Sequence, residues 1–178
     1  MVKSWIAGVL SMALGLAVPA FAQPADAQPG SAKAPDVGPP GTKEAALRET
    51  FSRISPEQLA AVLQNAGYRA QIDLNWKLPI IRTGLSGRQT SIYLYDCKDG
   101  TCGSFQYTLY FTKTERLSVA LANAWNRQRR FAKAYIDTDG DMTLNWDIDL
   151  AGGVTTEYLK QSVFSFESAL GEFIRFEP

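Results

Sequence analysis

Residues 88–111 read RQTSIYLYDCKDGTCGSFQYTLYF. Two runs rich in β-branched and aromatic residues flank a turn at Lys98–Thr101, which is the pattern of a β-hairpin. Alternation sets its register. If Cys97 faces Cys102, then Leu94 faces Phe105 and Ile92 faces Tyr107, so the apolar residues share one face. The opposite face carries Tyr93 beside Gln106 and Tyr95 beside Ser104. A one-residue slip would exchange the two faces, so the register is strongly specified.

Working outward, a turn at Leu85-Ser86-Gly87 leads into this hairpin from two earlier strands, Tyr68–Leu74 and Leu78–Thr83, joined by Asn75-Trp76-Lys77. Before them, Ser55-Pro56-Glu57-Gln58 presents a capping serine, a first-turn proline and a glutamine in capping-box position. The helix it starts carries Leu59, Val62, Leu63 and Ala66 as one stripe, and Gly67 stops it. Residues 42–54 have loosely helical apolar spacing (Ala45, Leu47, Phe51, Ile54) and read as a short helical lead-in.

Downstream, Glu115–Arg130 reads as a second helix with Leu117, Leu121, Ala124 and Trp125 on one side and Ala120 between them. A further hairpin joins Phe131–Asp137 to Asp141–Leu150. A two-residue Asp139-Gly140 turn would mix its faces. A three-residue Thr138-Asp139-Gly140 loop pairs Ile136 with Met142 and Ala134 with Leu144, and places Gly140 where a positive φ is needed. The second register is preferred because it sends Met142, Leu144, Trp146 and Ile148 to one core and Asn145, Asp147 and Asp149 outward. Thr155 or Thr156 caps a last helix through about Phe173, with Leu159, Val163, Phe166, Leu170 and Phe173 as its stripe. The order α-β-β-β-β-α-β-β-α, dominated by hairpins, predicts an α+β fold: a mostly antiparallel sheet flanked by helices.

The beginning of the chain reads differently. Lys3, the apolar run Trp5–Val18 and Ala20-Phe21-Ala22 form a signal-peptide pattern over residues 1–22. The run falls short of the ~20 residues a membrane span needs. Residues 23–41 hold five prolines and read as a disordered Pro/Ala-rich tether. Residues 42–178 then form a single domain. The expected location is periplasmic or secreted, with no stable membrane insertion after cleavage.

Composition narrows the chemistry. Eighteen basic residues balance eighteen acidic ones, against the strong positive charge of a nucleic-acid binder. The chain has no histidine, which removes Ser-His-Asp and Cys-His sites and histidine-ligated metals. In an exported protein the two cysteines, Cys97 and Cys102, are expected to form a structural disulfide.

Several short elements in order carry a resemblance: Ala124-Trp125-Asn126, Arg129-Arg130-Phe131-Ala132-Lys133-Ala134-Tyr135, Asp139-Gly140-Asp141, Asp147, and Leu150-Ala151-Gly152-Gly153-Val154. From about Ser55 onward the chain resembles the bacterial YbjN-like domain family of sensory transduction regulators. That family is similar in architecture to the chaperones of type III secretion. The resemblance implies a protein-binding role, a protein partner and a homodimer, and it brings no catalytic residues.

Candidate sites follow. Tyr93, Tyr95 and Tyr110 form an aromatic row on the outer sheet face, covered either by a helix of the same chain or by a partner. Trp125 and Asn126 form a candidate interface anchor, or else pack and close their helix. Asp137, Asp139 and Asp141 have the spacing of an EF-hand start, but Met142 stands at its glycine position and Ile148 at its final acidic position. Arg127, Arg129, Arg130 and Lys133 are expected to close a helix end and pair with the aspartates that follow. No catalytic residue, metal ligand or cofactor is expected. The function expected is an exported, non-enzymatic protein-binding module with a regulatory or chaperone-like role. The alternatives are a small-molecule or lipid binder with an aromatic-lined pocket, and an aspartate hydrolase using a divalent cation.

Overall fold

The computed structural model describes residues 49–176; the expected signal peptide, the tether and residues 42–48 of the expected lead-in lie outside these. In chain order the elements are β1 (Thr50–Phe51), α1 (Pro56–Asn65), β2 (Gln71–Asp73), β3 (Ile80–Leu85), β4 (Arg88–Lys98), β5 (Thr101–Phe111), α2 (Val119–Gln128), β6 (Lys133–Ile136), β7 (Met142–Asp149), β8 (Val154–Thr155) and α3 (Thr156–Arg175). Strands β2 to β7 form an antiparallel sheet in the order β2-β3-β4-β5-β7-β6, and β1 pairs with β8 in a separate two-stranded sheet. The fold is α+β, as the hairpin pattern implies.

The two-residue turns explain the central meander. Ser86-Gly87 and Asp99-Gly100 both adopt positive φ, the geometry that matches the right-handed twist of the strands they join. The β4–β5 ladder has the register read from alternation, Leu94 opposite Phe105 and Ile92 opposite Tyr107, with Cys97 opposite Cys102 and disulfide-bonded to it. In the β6–β7 hairpin Ile136 faces Met142 and Ala134 faces Leu144, with Gly140 at φ 85°. The Asp137 carboxylate accepts from the backbone N–H groups of Asp139 and Asp141, shaping this loop.

The inner face of the sheet is apolar, and the three helices contribute their stripes to the same core. Ile81, Ile92, Phe105, Tyr107, Leu144 and Ile148 meet Leu59 and Leu63 of α1, Trp125 of α2, and Val163, Phe166 and Leu170 of α3. The ring of Tyr107 stacks on Phe166 at 5.1 Å between centroids, and its hydroxyl meets that of Ser162 at 2.9 Å. The capping box at Ser55 and Gln58 is present, and Thr155 caps α3. Phe105, Tyr107, Trp125, Phe166 and Phe173 are large aromatic side chains buried in this core.

Three expectations need correction. The described part of the lead-in is not helical. Thr50 and Phe51 pair with Thr155 and Val154, while Ile54 exchanges two backbone hydrogen bonds (3.0 and 2.8 Å) with Cys102. Helix α2 starts at Val119, not Glu115, because the Ser118 hydroxyl accepts from the backbone N–H of Leu121. This phasing buries Ala122 rather than Ala120. Arg129 pairs not with the following aspartates but with Glu172 of α3 at 2.9 Å, its guanidinium over the rings of Trp125 and Phe176.

Candidate functional site

Strand alternation makes the outer sheet face, and the ladders fix what lies on it. Tyr93 and Tyr95 stand on β4 opposite Gln106 and Ser104, and Tyr110 stands on β5 opposite Thr143. Thr143 is in turn opposite Tyr135 on β6. The row therefore has a fourth member that reading the sequence alone misses. Its signal is present there: the register pairing Ile136 with Met142 puts Tyr135 outward. No helix of the described residues covers these rings. Tyr110 is 51% exposed and Tyr135 45%, with Tyr93 and Tyr95 half-buried. Among the described residues intramolecular cover, the plainer expectation, is absent, because each of the three helices turns its apolar stripe to the inner face.

The tyrosines form a connected surface. The hydroxyls of Tyr93 and Tyr110 lie 3.4 Å apart. Burial, then the hydrogen bond to Tyr93, pushes the Tyr110 phenol well above its ordinary pKa. Burial, then the negative charge of Asp147, also raises the Tyr95 phenol. Both phenols are neutral at physiological pH, so they exchange hydrogen bonds and do not act as phenolates. Beneath them lie small polar residues: Thr108 and Thr143 are buried, and the Thr143 hydroxyl has no hydrogen-bond partner. Along one side, Thr108 donates to Gln106 (3.0 Å) and Gln106 donates to Asp147 (2.8 Å).

The other sequence candidates are placed elsewhere. Trp125 is fully buried, which corrects its placement on an interaction surface. Its indole N–H donates to the Ala132 carbonyl (2.9 Å), and its ring meets Phe173 and Phe176 edge-on. Asn126 is likewise committed within the chain. Its side-chain NH₂ donates to the Ala134 carbonyl (2.8 Å), and its oxygen accepts from the Ala134 N–H (2.9 Å). It covers the free edge of β6 with one amide.

The aspartates serve the backbone. Asp141 accepts from the Lys113 N–H (2.8 Å) and Asp149 from the Ala151 N–H (2.9 Å). Among the described residues no three acidic or thiol groups converge as a metal cluster. The three converging carboxylates that a metal hydrolase requires are thus not assembled there. Among the same residues no helix is long and apolar enough to cross a membrane.

With this geometry in place, three comparisons with known proteins bear on the chain. The family model YbjN, "putative bacterial sensory transduction regulator", matches residues 55–176. A solved structure, YbjN from E. coli, described as "a putative transcription regulator", is similar at a TM-score of 0.56 and 16% identity, covering 71% of this chain and 92% of that one. At that identity the likeness concerns the fold. A comparison with curated proteins returned no match.

Proposed function

The chain belongs to the YbjN family, and from that membership we propose that it is an exported regulatory module that works by binding a protein partner, without chemistry of its own. The observation that carries the reading is the outer sheet face, where Tyr110 and Tyr135 stand exposed and Tyr93 and Tyr95 half-buried beside buried polar residues. Tyrosine is well matched to an interface, because it offers a large rigid contact area and a polar end at low entropic cost. The side chains that chemistry would recruit are otherwise engaged. There is no histidine in the chain, the carboxylates of Asp137, Asp141 and Asp149 accept from backbone N–H groups, and the phenols of Tyr95 and Tyr110 are neutral. Export rests on the leader pattern of residues 1–22.

A photo-crosslinking amino acid placed at position 110 tests the proposal, with the same group at Glu57 on the far side as reference. Crosslinks to a protein in the compartment that are specific to position 110, and are weakened by Tyr135→Ala, support it. Equal yields from both positions overturn it. Substitution of an anchoring tyrosine by alanine should weaken capture by about 1 kcal/mol or more.

A further inference from the structure

On the helix-covered side of the sheet, the segment that leaves α2 and one flank of α3 border a groove of about 360 Å³. Phe131 lines it from the segment, and Phe164, Ser165 and Ser168 line it from the helix. Arg129 and Glu172 also line it, and their ion pair at 2.9 Å ties one wall to the other. Phe131 is 58% exposed and Phe164 59%. Phe164 stands outside the buried stripe of α3, so core packing does not call for a large apolar side chain there.

The backbone of Phe131 has a φ of 68°, where a bulky residue is an outlier. Glycine would supply that conformation without strain; a phenylalanine stands there instead. Its ring lies 5.1 Å from that of half-buried Trp146, and the Arg130 guanidinium lies 5.1 Å from its centroid. These contacts orient the ring and still leave more than half of the residue in water. Backbone strain of this kind clusters at functional sites, and an anchor oriented before contact loses less freedom on binding.

Charge around the groove is one-sided. Residues 127–133 carry Arg127, Arg129, Arg130 and Lys133 and no acidic residue. Glu172 matches Arg129, whereas among the described residues Arg130 has no carboxylate within salt-bridge distance. We propose that this groove docks an acidic segment of a protein partner, with a large apolar side chain seated between Phe131 and Phe164 and a carboxylate meeting Arg130. Complementary charge steers such a segment and fixes its register. A peptide brings hydrogen-bonding groups to the hydroxyls of Ser165 and Ser168, whereas a lipid tail would strip them of water without replacement. The surface is separate from the tyrosine face, and the inference stands without it.

NMR on isotope-labelled protein, titrated with a hexapeptide in which a Leu-Phe pair is flanked by two glutamates on each side, tests this. Amide shifts are expected at Phe131, Ser165, Ser168 and Ala169, all lining residues, and affinity should fall as salt is raised. Phe164→Ala, an exposed change that keeps the buried stripe of α3, should weaken binding about fivefold or more, the scale of a lost aromatic anchor. Phe131→Gly should do the same while easing the backbone. Tyr110→Ala, on the outer face, should change nothing. Replacing the glutamates by glutamines, or the Leu-Phe pair by serines, should weaken binding as well. No shifts at millimolar peptide, shifts centred outside the groove, or a Phe164→Ala protein that binds like the parent would overturn the proposal. So would self-association lost in Phe164→Ala, which assigns the groove to a second copy, or a response of the same amides to oleate but not to the peptide. None of these outcomes alters the crosslinks expected from position 110.

Discussion

Replacing Asn126 by alanine separates a structural clamp from an interface residue. The side chain makes two hydrogen bonds, both to the backbone of Ala134, a residue that is 2% exposed. Each is worth about 1 kcal/mol net, and a buried backbone group left without a partner adds a penalty of ~1–3 kcal/mol. Water reaching the opened strand edge reduces that penalty, and alanine returns up to ~0.7 kcal/mol through helix propensity. The expected loss is therefore about 2–3 kcal/mol, a large fraction of the ~5–15 kcal/mol that holds a domain together. Urea unfolding at 25 °C should show it as a midpoint lowered by roughly 1–2 M at an unchanged slope. Asn126→Asp keeps the acceptor for the Ala134 N–H but turns a second oxygen toward the Ala134 carbonyl, so it should not rescue stability. A midpoint within error of the parent, combined with loss of partner capture, would refute the clamp and return Asn126 to the interface.

Three further outcomes are expected. N-terminal sequencing of the exported protein should begin at Gln23; a chain starting at Met1 or Val2 would exclude cleavage after Ala22. Intact-mass analysis with and without reductant should find Cys97 and Cys102 bridged. Reduction should cost about 2 kcal/mol or less, because the closed loop is short and the Ile54–Cys102 backbone pair remains. Alkaline pH should destabilise the fold. Burial, then the hydrogen bond to Glu167, pushes the Tyr68 phenol up from 10.0 to about 12, and burial raises Tyr107 as well. With folded values above unfolded ones, this contribution is complete below about pH 10 and is lost as pH rises toward 12. The urea midpoint should fall across that window, less steeply in Tyr68→Phe; a flat profile would contradict it.

Some of this fold was legible in the residues and some was not, for identifiable reasons. The β4–β5 register could be read because three constraints agree there: facing cysteines, an apolar face and a tight turn. The β6–β7 loop could be read because, of the two lengths, only the three-residue one puts Ile136 and Ala134 on the face of Met142 and Leu144. Phe51 and Ile54 misled because their spacing fits a helix, while what orders them lies far along the chain in Val154 and Cys102. Trp125 was ambiguous because a tryptophan among polar neighbours suits a surface or a core equally. Its burial depends on Phe173 and Phe176, which sequence periodicity does not connect to it. Tyr93, Tyr95 and Tyr110 were correctly assigned to one face. Whether anything covered that face depended on where three helices docked, a tertiary property.

The pairing of β1 with β8 sets an order of assembly. Hairpins such as β4–β5 join near neighbours, and isolated hairpins close on the order of microseconds. Thr50 must instead wait for Thr155, so its contact is among the most distant in sequence and carries a large loop-closure cost. The carbonyl of Glu49 receives the N–H of Thr156 at the start of α3, so the same event seats the first described residue. During synthesis the meander can form as it emerges, while the seat for the N-terminal segment exists only after residue 156 has appeared. Strand β1, synthesised before the meander, is therefore among the last of the described elements to be fixed in place.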